Sequence, residues 1–192
     1  MSPGNRKLPA TRRVLGGWRI LLICMLIGVA PAEADVSKEY QLKAAFLYNF
    51  AKFVEWPASG FATPESPLVI GVFRANPFGD ELEKAVKGRK INGHPIVVSQ
   101  VSSVAAARQT QILFVGASQN AKLGELKGAL QGTPVLTVGE SEEFARQGGM
   151  VTFTLQNDSL RFAINKDPAQ KAGLKISSQL LKLALNSGRT TP

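Results

Sequence analysis

Few side chains in this sequence are equipped for covalent chemistry, and their spacing narrows the choice further. There is one histidine and one cysteine among 192 residues. His94 sits in Asn92-Gly93-His94-Pro95, a turn entering a strand, and without a second histidine or a nearby thiolate a metal site would rest on carboxylates alone. Cys24 falls in the apolar stretch ILLICMLIGVA, after Ile23 rather than after the small residue that precedes a lipid-modified cysteine. No G-x-S-x-G nucleophile elbow is present. The sequence therefore points to no catalytic residue, no metal and no cofactor. Two turns remain, Gly116-Ala117-Ser118 and Gly139-Glu140-Ser141, each following an expected strand and opening an expected helix. Such turns aim backbone N–H groups at the carboxyl edge of a parallel sheet, where anions bind. Gly116, Ser118, Gly139 and Ser141 are thus ligand-binding candidates, although neither turn matches a phosphate-loop motif and serine is equally a helix cap.

Aromatic residues are the second concentration. Tyr40, Phe46, Tyr48, Phe50, Phe53 and Trp56 make up 6 of the 14 aromatic residues within 17 positions. Phe46, Phe50 and Phe53 recur at helical spacing and are assigned to the core. Tyr48 falls toward the polar side of the helical wheel and Trp56 at the helix end, which makes them candidates to anchor a partner or cap a pocket.

The elements that must position these residues follow from pattern and punctuation. Residues 1–34 read as a cleaved signal peptide: five cations up to Arg19, an uncharged run of 13 residues from Ile20 to Ala32, and Ala32-Glu33-Ala34 as a small-x-small cleavage site. That run is short of the ~20 residues a membrane-crossing helix needs. The remaining domain, 35–192, has 158 residues with 18 cations and 13 acids and no cysteine, which excludes internal disulfides and thiol chemistry. Its cations are dispersed, apart from Lys84, Lys87, Arg89 and Lys90, so nucleic-acid binding is not indicated.

Lys38 to Glu55 lacks Gly and Pro and ends against Trp56-Pro57, where Pro57 disfavours helix for Trp56; a helix is expected there. Apolar, β-branched runs at 68–73, 95–101, 111–115 and 135–138 read as strands buried on both faces. Helical stretches near 78–87, 103–108, 118–130 and 141–147 separate them. After Met150 the pattern changes to alternation, with Val151, Phe153 and Leu155, then Leu160, Phe162 and Ile164, inward, which predicts a hairpin with one buried face. Its polar face carries Arg161 and Asn165, two further partner-binding candidates. Gly173 stands where a short helix would end, and a last helix is expected from Ser177 to Asn186. The fold class is α/β: a single three-layer domain, a largely parallel sheet with a C-terminal hairpin, flanked by helices.

Two stretches resemble the YfiR family of periplasmic regulators. One runs from Glu39 through Tyr40, Phe46, Phe50 and Phe53 to Trp56-Pro57. The other includes Phe144, Gly148-Gly149-Met150, Arg161-Phe162-Ala163-Ile164-Asn165, Ala172-Gly173-Leu174-Lys175-Ile176-Ser177-Ser178 and Leu180 to Ala184. Phe46, Phe50, Phe53, Pro57, Gly148, Gly149, Phe162, Gly173 and Ser177 carry the motif as fold-defining positions. The resemblance implies a non-catalytic periplasmic protein that represses an inner-membrane diguanylate cyclase by binding its periplasmic sensor region, which lowers cyclic di-GMP and biofilm formation. It also implies an outer-membrane lipoprotein that sequesters the regulator. Disulfide sensing proposed for some members has no cysteines to use here. The alternative is a periplasmic small-ligand receptor using the carboxyl edge of the sheet, and the polar-faced hairpin admits a homodimer.

Overall fold

The computed structural model describes Met1 and residues 32–157 and 159–184, with side chains described from Lys38 onward. The expected leader, apart from the backbone of 32–34, and the expected helix end at Asn186 lie outside the described residues. Helices and strands run in chain order as α1 (Ala32–Phe53), β1 (Val54–Glu55), β2 (Leu68–Phe73), α2 (Glu81–Val86), β3 (Lys90–Ile91) and β4 (His94–Val101). They continue as α3 (Val104–Ala107), β5 (Ile112–Val115), α4 (Leu123–Leu130), β6 (Leu136–Gly139), α5 (Glu142–Arg146) and β7 (Val151–Gln156). The last are β8 (Ser159–Ile164), α6 (Lys166–Lys171), β9 (Lys175–Ile176) and α7 (Ser178–Leu183).

Seven strands form one sheet in the order β3-β4-β2-β5-β6-β7-β8. The five central strands are parallel, and β3 and β8 close the two edges antiparallel. The chain starts at β2, steps one way to β4, then crosses back to β5 and continues outward. This is a doubly wound order whose crossovers fall on opposite faces, with a switch point between the carboxyl ends of β2 and β5. The expected α/β architecture, one three-layer domain with a C-terminal hairpin, is what the chain forms.

The two faces are packed by different residues. On the first, α1, α2, α6 and α7 cover Ile70, Val72, Ile112, Phe114, Leu136 and Val138. Phe50 is fully buried there, with its ring 5.7 Å from Phe153 and 5.2 Å from Phe162. Phe46 lies half-buried on the same hairpin, 5.4 Å from Phe162, and Phe53 is half-buried too. On the second face, α3, α4 and α5 cover Phe73, Leu113 and Val115.

Three local readings need correction. The first helix stops at Phe53, because Val54 and Glu55 turn extended and pair with Ile176 and Lys175 of β9. Residues 117–122, expected as the start of a long helix, form a 3₁₀ turn before α4. Asn92-Gly93 does not merely lead into a strand; it joins β3 to β4 as a two-residue hairpin turn. Both turn residues have positive φ, 51° and 90°, the geometry that matches the twist of antiparallel strands and favours Asn-Gly.

Candidate functional site

The carboxyl edge of the sheet holds the densest polar cluster, and it is built around Glu140, the residue between the two turn candidates Gly139 and Ser141. Its carboxylate accepts from Lys43 Nζ at 2.5 Å, from the Tyr40 hydroxyl at 3.2 Å and from the Ala117 backbone N–H at 3.0 Å. Lys43 also pairs with Glu39 one turn earlier on α1, and its ammonium lies 4.4 Å from the Tyr40 ring centre. The Lys43 side chain is only 4% exposed. Burial, and next the neighbouring Glu140 charge, pushes the Tyr40 hydroxyl above its ordinary pKa. Every charged member of this cluster has an opposite or polar partner, so the arrangement fastens α1 to the sheet.

The ligand-binding candidates sit in the same place. The Ala117 N–H, the group an anion would seek after Gly116, donates to Glu140 instead. Ser141 Oγ caps α5 by accepting from the Phe144 N–H at 3.1 Å, and donates to Asn120 Oδ1 at 2.8 Å. Ser118 Oγ accepts from the Gln119 amide at 3.1 Å. Gly139 has a packing reason: a Cβ there would fall 2.4 Å from the Phe144 ring, and one at Gly149 would fall 2.0 Å from it. Phe144 is thus slotted between two glycines, which gives Gly139 and Gly149 a packing role.

The four partner-binding candidates do not form one surface. Tyr48 and Trp56 belong to the α1 side of the sheet. Tyr48 is half-buried beneath the Arg89 guanidinium, 4.5 Å from its ring centre. Trp56 is half-buried and its indole N–H donates to the Gln111 carbonyl at 3.0 Å. Gln111 is itself buried; its side chain accepts from the Val69 N–H at 2.7 Å and donates to the Gly60 carbonyl at 2.5 Å. This glutamine therefore holds the loop after α1 against the start of β2 and β5. Arg161 and Asn165 lie on the other side. Arg161 is opposite Thr154 in the hairpin, exposed, while its neighbour Phe162 turns inward to the α1 face.

The remaining motif positions hold joints between elements. Pro57 lies against the Gly173 turn, where a Cβ would be 3.6 Å from the proline ring and φ is 75°. The Ser177 N–H donates to the Phe53 carbonyl at 2.9 Å, and its hydroxyl caps α7 through the Leu180 N–H at 3.2 Å. His94 Nδ1, carrying the ring proton, donates to the Ser66 carbonyl at 2.7 Å. Its ring stacks on Phe61 at 4.0 Å.

Sequence reasoning passed over Glu140 and Lys43. A signal for Lys43 was present: it is the one cation on the apolar arc of α1, between the wheel positions of Phe50 and Leu47.

The polar edge of this doubly wound α/β body is thus satisfied by its own side chains around Glu140. The family model described as DUF4154, YfiR/HmsC-like, matches residues 40–185, and the chain belongs to that family. The family is a regulatory one, associated in general terms with periplasmic control of diguanylate cyclase. No curated protein matches it. Among solved structures, a conserved domain protein from Vibrio cholerae O1 biovar El Tor strain N16961 is similar, at 12% identity and a TM-score of 0.49. The alignment covers 78% of this chain and 59% of that one. No helix among the described residues is long and apolar enough to cross a membrane.

Proposed function

We propose that this protein represses an inner-membrane diguanylate cyclase by binding its periplasmic sensor region, lowering cyclic di-GMP and biofilm formation, and that an outer-membrane lipoprotein relieves the repression by sequestering it. The carrying observation is the family match over residues 40–185, which spans nearly all of the described domain. Export by a cleaved leader, residues 1–34, belongs to the same reading and delivers the domain to the compartment where the sensor region lies.

Of the candidate contact residues, Arg161 is the strongest. It is exposed on an edge strand, on the face it shares with Thr154, whereas Leu155, expected inward from the alternation, is 59% exposed on the other face because the hairpin end runs past the helices. An exposed arginine on an edge strand is one of the residue types most often found anchoring protein interfaces. Tyr48 contributes from the opposite face only if the partner wraps around α1. The small-ligand reading at the carboxyl edge is weaker, because the Ala117 amide and the Ser141 hydroxyl already have internal partners.

The test is crosslinked co-purification from the cell envelope, paired with cyclic di-GMP measurement in a deletion strain. Recovery of an inner-membrane cyclase and a rise in cyclic di-GMP on deletion are expected. Arg161→Ala should change stability by no more than about 0.5 kcal/mol, as an exposed substitution does, yet reduce the crosslinked yield. Recovery of no cyclase together with unchanged cyclic di-GMP would overturn the reading.

A further inference from the structure

The second face of the sheet is covered less completely than the first. The connection from β6 to β7 contains only the five-residue α5, placed near the carboxyl edge, where Phe144 packs against Gly139 and Gly149. The amino half of β6 and β7 is left without a helix of its own. A cavity of about 420 Å³ opens there, between α4 and the start of α6.

Its walls are chemically divided. Leu113 and Val115 of β5 form the floor, and Leu123, Leu126 and Leu130 of α4 form one side, with Met150 and Phe144 opposite. The rim is polar, and its charged members are Lys127 at the end of α4, Lys171 at the end of α6 and Asp167 in the first turn of α6. Both lysines are exposed, and neither they nor Asp167 forms an ion pair among the described residues. Asn165 adds an amide to the same rim. The volume lies within the roughly 300–1,000 Å³ range of small-molecule sites, which combine apolar walls with a few polar groups that orient the ligand.

We propose that this cavity binds a small anionic amphiphile, an apolar chain or ring system bearing a carboxylate, with the apolar body against the α4 leucines and the carboxylate between Lys127 and Lys171. Size favours a single slender molecule over a folded peptide. The rim charge, two cations to one acid, selects an anion over a neutral or cationic body, and Asn165 provides a neutral donor for a second oxygen. This site is separate from the Glu140 cluster: it shares none of that cluster's residues and lies under α4 on the second face, and its occupant would touch Asn165, the residue that follows the hairpin.

Titration calorimetry and thermal melting of the mature chain with decanoate, below its micellar concentration, test the assignment, with decanol as the uncharged comparator. Saturable binding and a raised melting temperature are expected with decanoate. Lys127→Gln combined with Lys171→Gln should weaken decanoate by about ten-fold, the effect of losing one modest charge-assisted contact, and leave decanol unchanged. Gln131→Trp, at the exposed mouth, should abolish binding of both while leaving the circular dichroism spectrum and the ligand-free melt intact. Decanoate that fails to saturate, or that binds the double lysine variant as tightly as the parent, would overturn the proposal. Sedimentation with phosphatidylglycerol vesicles separates a free amphiphile from a membrane surface: vesicle binding without decanoate binding would also overturn it.

Discussion

The two faces of the sheet are built on opposite plans. The α1 face is sealed by interlocking aromatic rings, Phe46, Phe50, Phe153 and Phe162. The α4 face relies mainly on aliphatic side chains, with two rings that do not interlock as on the first face: Phe73 on β2 and Phe144 seated between glycines. Four helices press on the first face, where a pocket of about 380 Å³ opens only at the margin around Trp56, Phe61 and His94, and the second retains a cavity of about 420 Å³ beneath α4. The difference teaches that stability and exchange of contacts are assigned to separate sides: a face filled by rings has little room to respond, and a face with a void has some.

Substitutions that break or sharpen this contrast should be graded in size. Phe50→Ala, which opens a hole in the sealed face, is expected to cost about 3–5 kcal/mol, read as a lower denaturation midpoint at unchanged slope. Lys43→Met should cost about 3 kcal/mol, toward the low end for breaking a buried ion pair, because Tyr40 and Ala117 still serve Glu140. If instead the Met variant is as stable as the parent, the charge cluster contributes no net stability and the rings alone secure α1. On the second face, Gly149→Ala drives a methyl into the Phe144 ring and should cost about 1–3 kcal/mol as overpacking; thermal melts check it. A loss smaller than that would mean Phe144 can retreat into the neighbouring void. The smallest effect is expected for Trp56→Phe, which keeps the ring and removes the N–H donor to Gln111, a loss of about 1 kcal/mol. Trp56→Ala, which the sequence alone marks as a surface change, should be clearly destabilising for the same structural reason.

The layer architecture was legible because β2, β5 and β6, buried on both faces, leave continuous apolar runs, and because Val151 to Ile164 switches to strict alternation. Strand β4, expected to be buried in the same way, is covered on its outer edge by little beyond the two-residue β3 and exposes Val97. Gly173 and Ser177 were legible as helix punctuation, and they end α6 and cap α7 as expected. The site was read less fully, since side-chain partners that lie far apart in sequence leave no local trace. Nothing around Glu140 announces Lys43, 97 positions earlier. Trp56 illustrates the same gap: its position at a helix end suggested a free anchor, and only the fold brings the Gln111 carbonyl to its indole. The division of Tyr48 and Trp56 from Arg161 and Asn165 likewise depends on which face each strand position takes, a property of register between elements that the pattern within one element does not contain.

Helix α1 is held near its middle by the grip of Glu140 on Lys43 and Tyr40, and just past its end by Trp56 on Gln111. A rod clamped at two stations cannot pivot about either one. A push from outside must therefore shift the whole layer in concert or tear a clamp loose, and a gradual tilt is not among its motions.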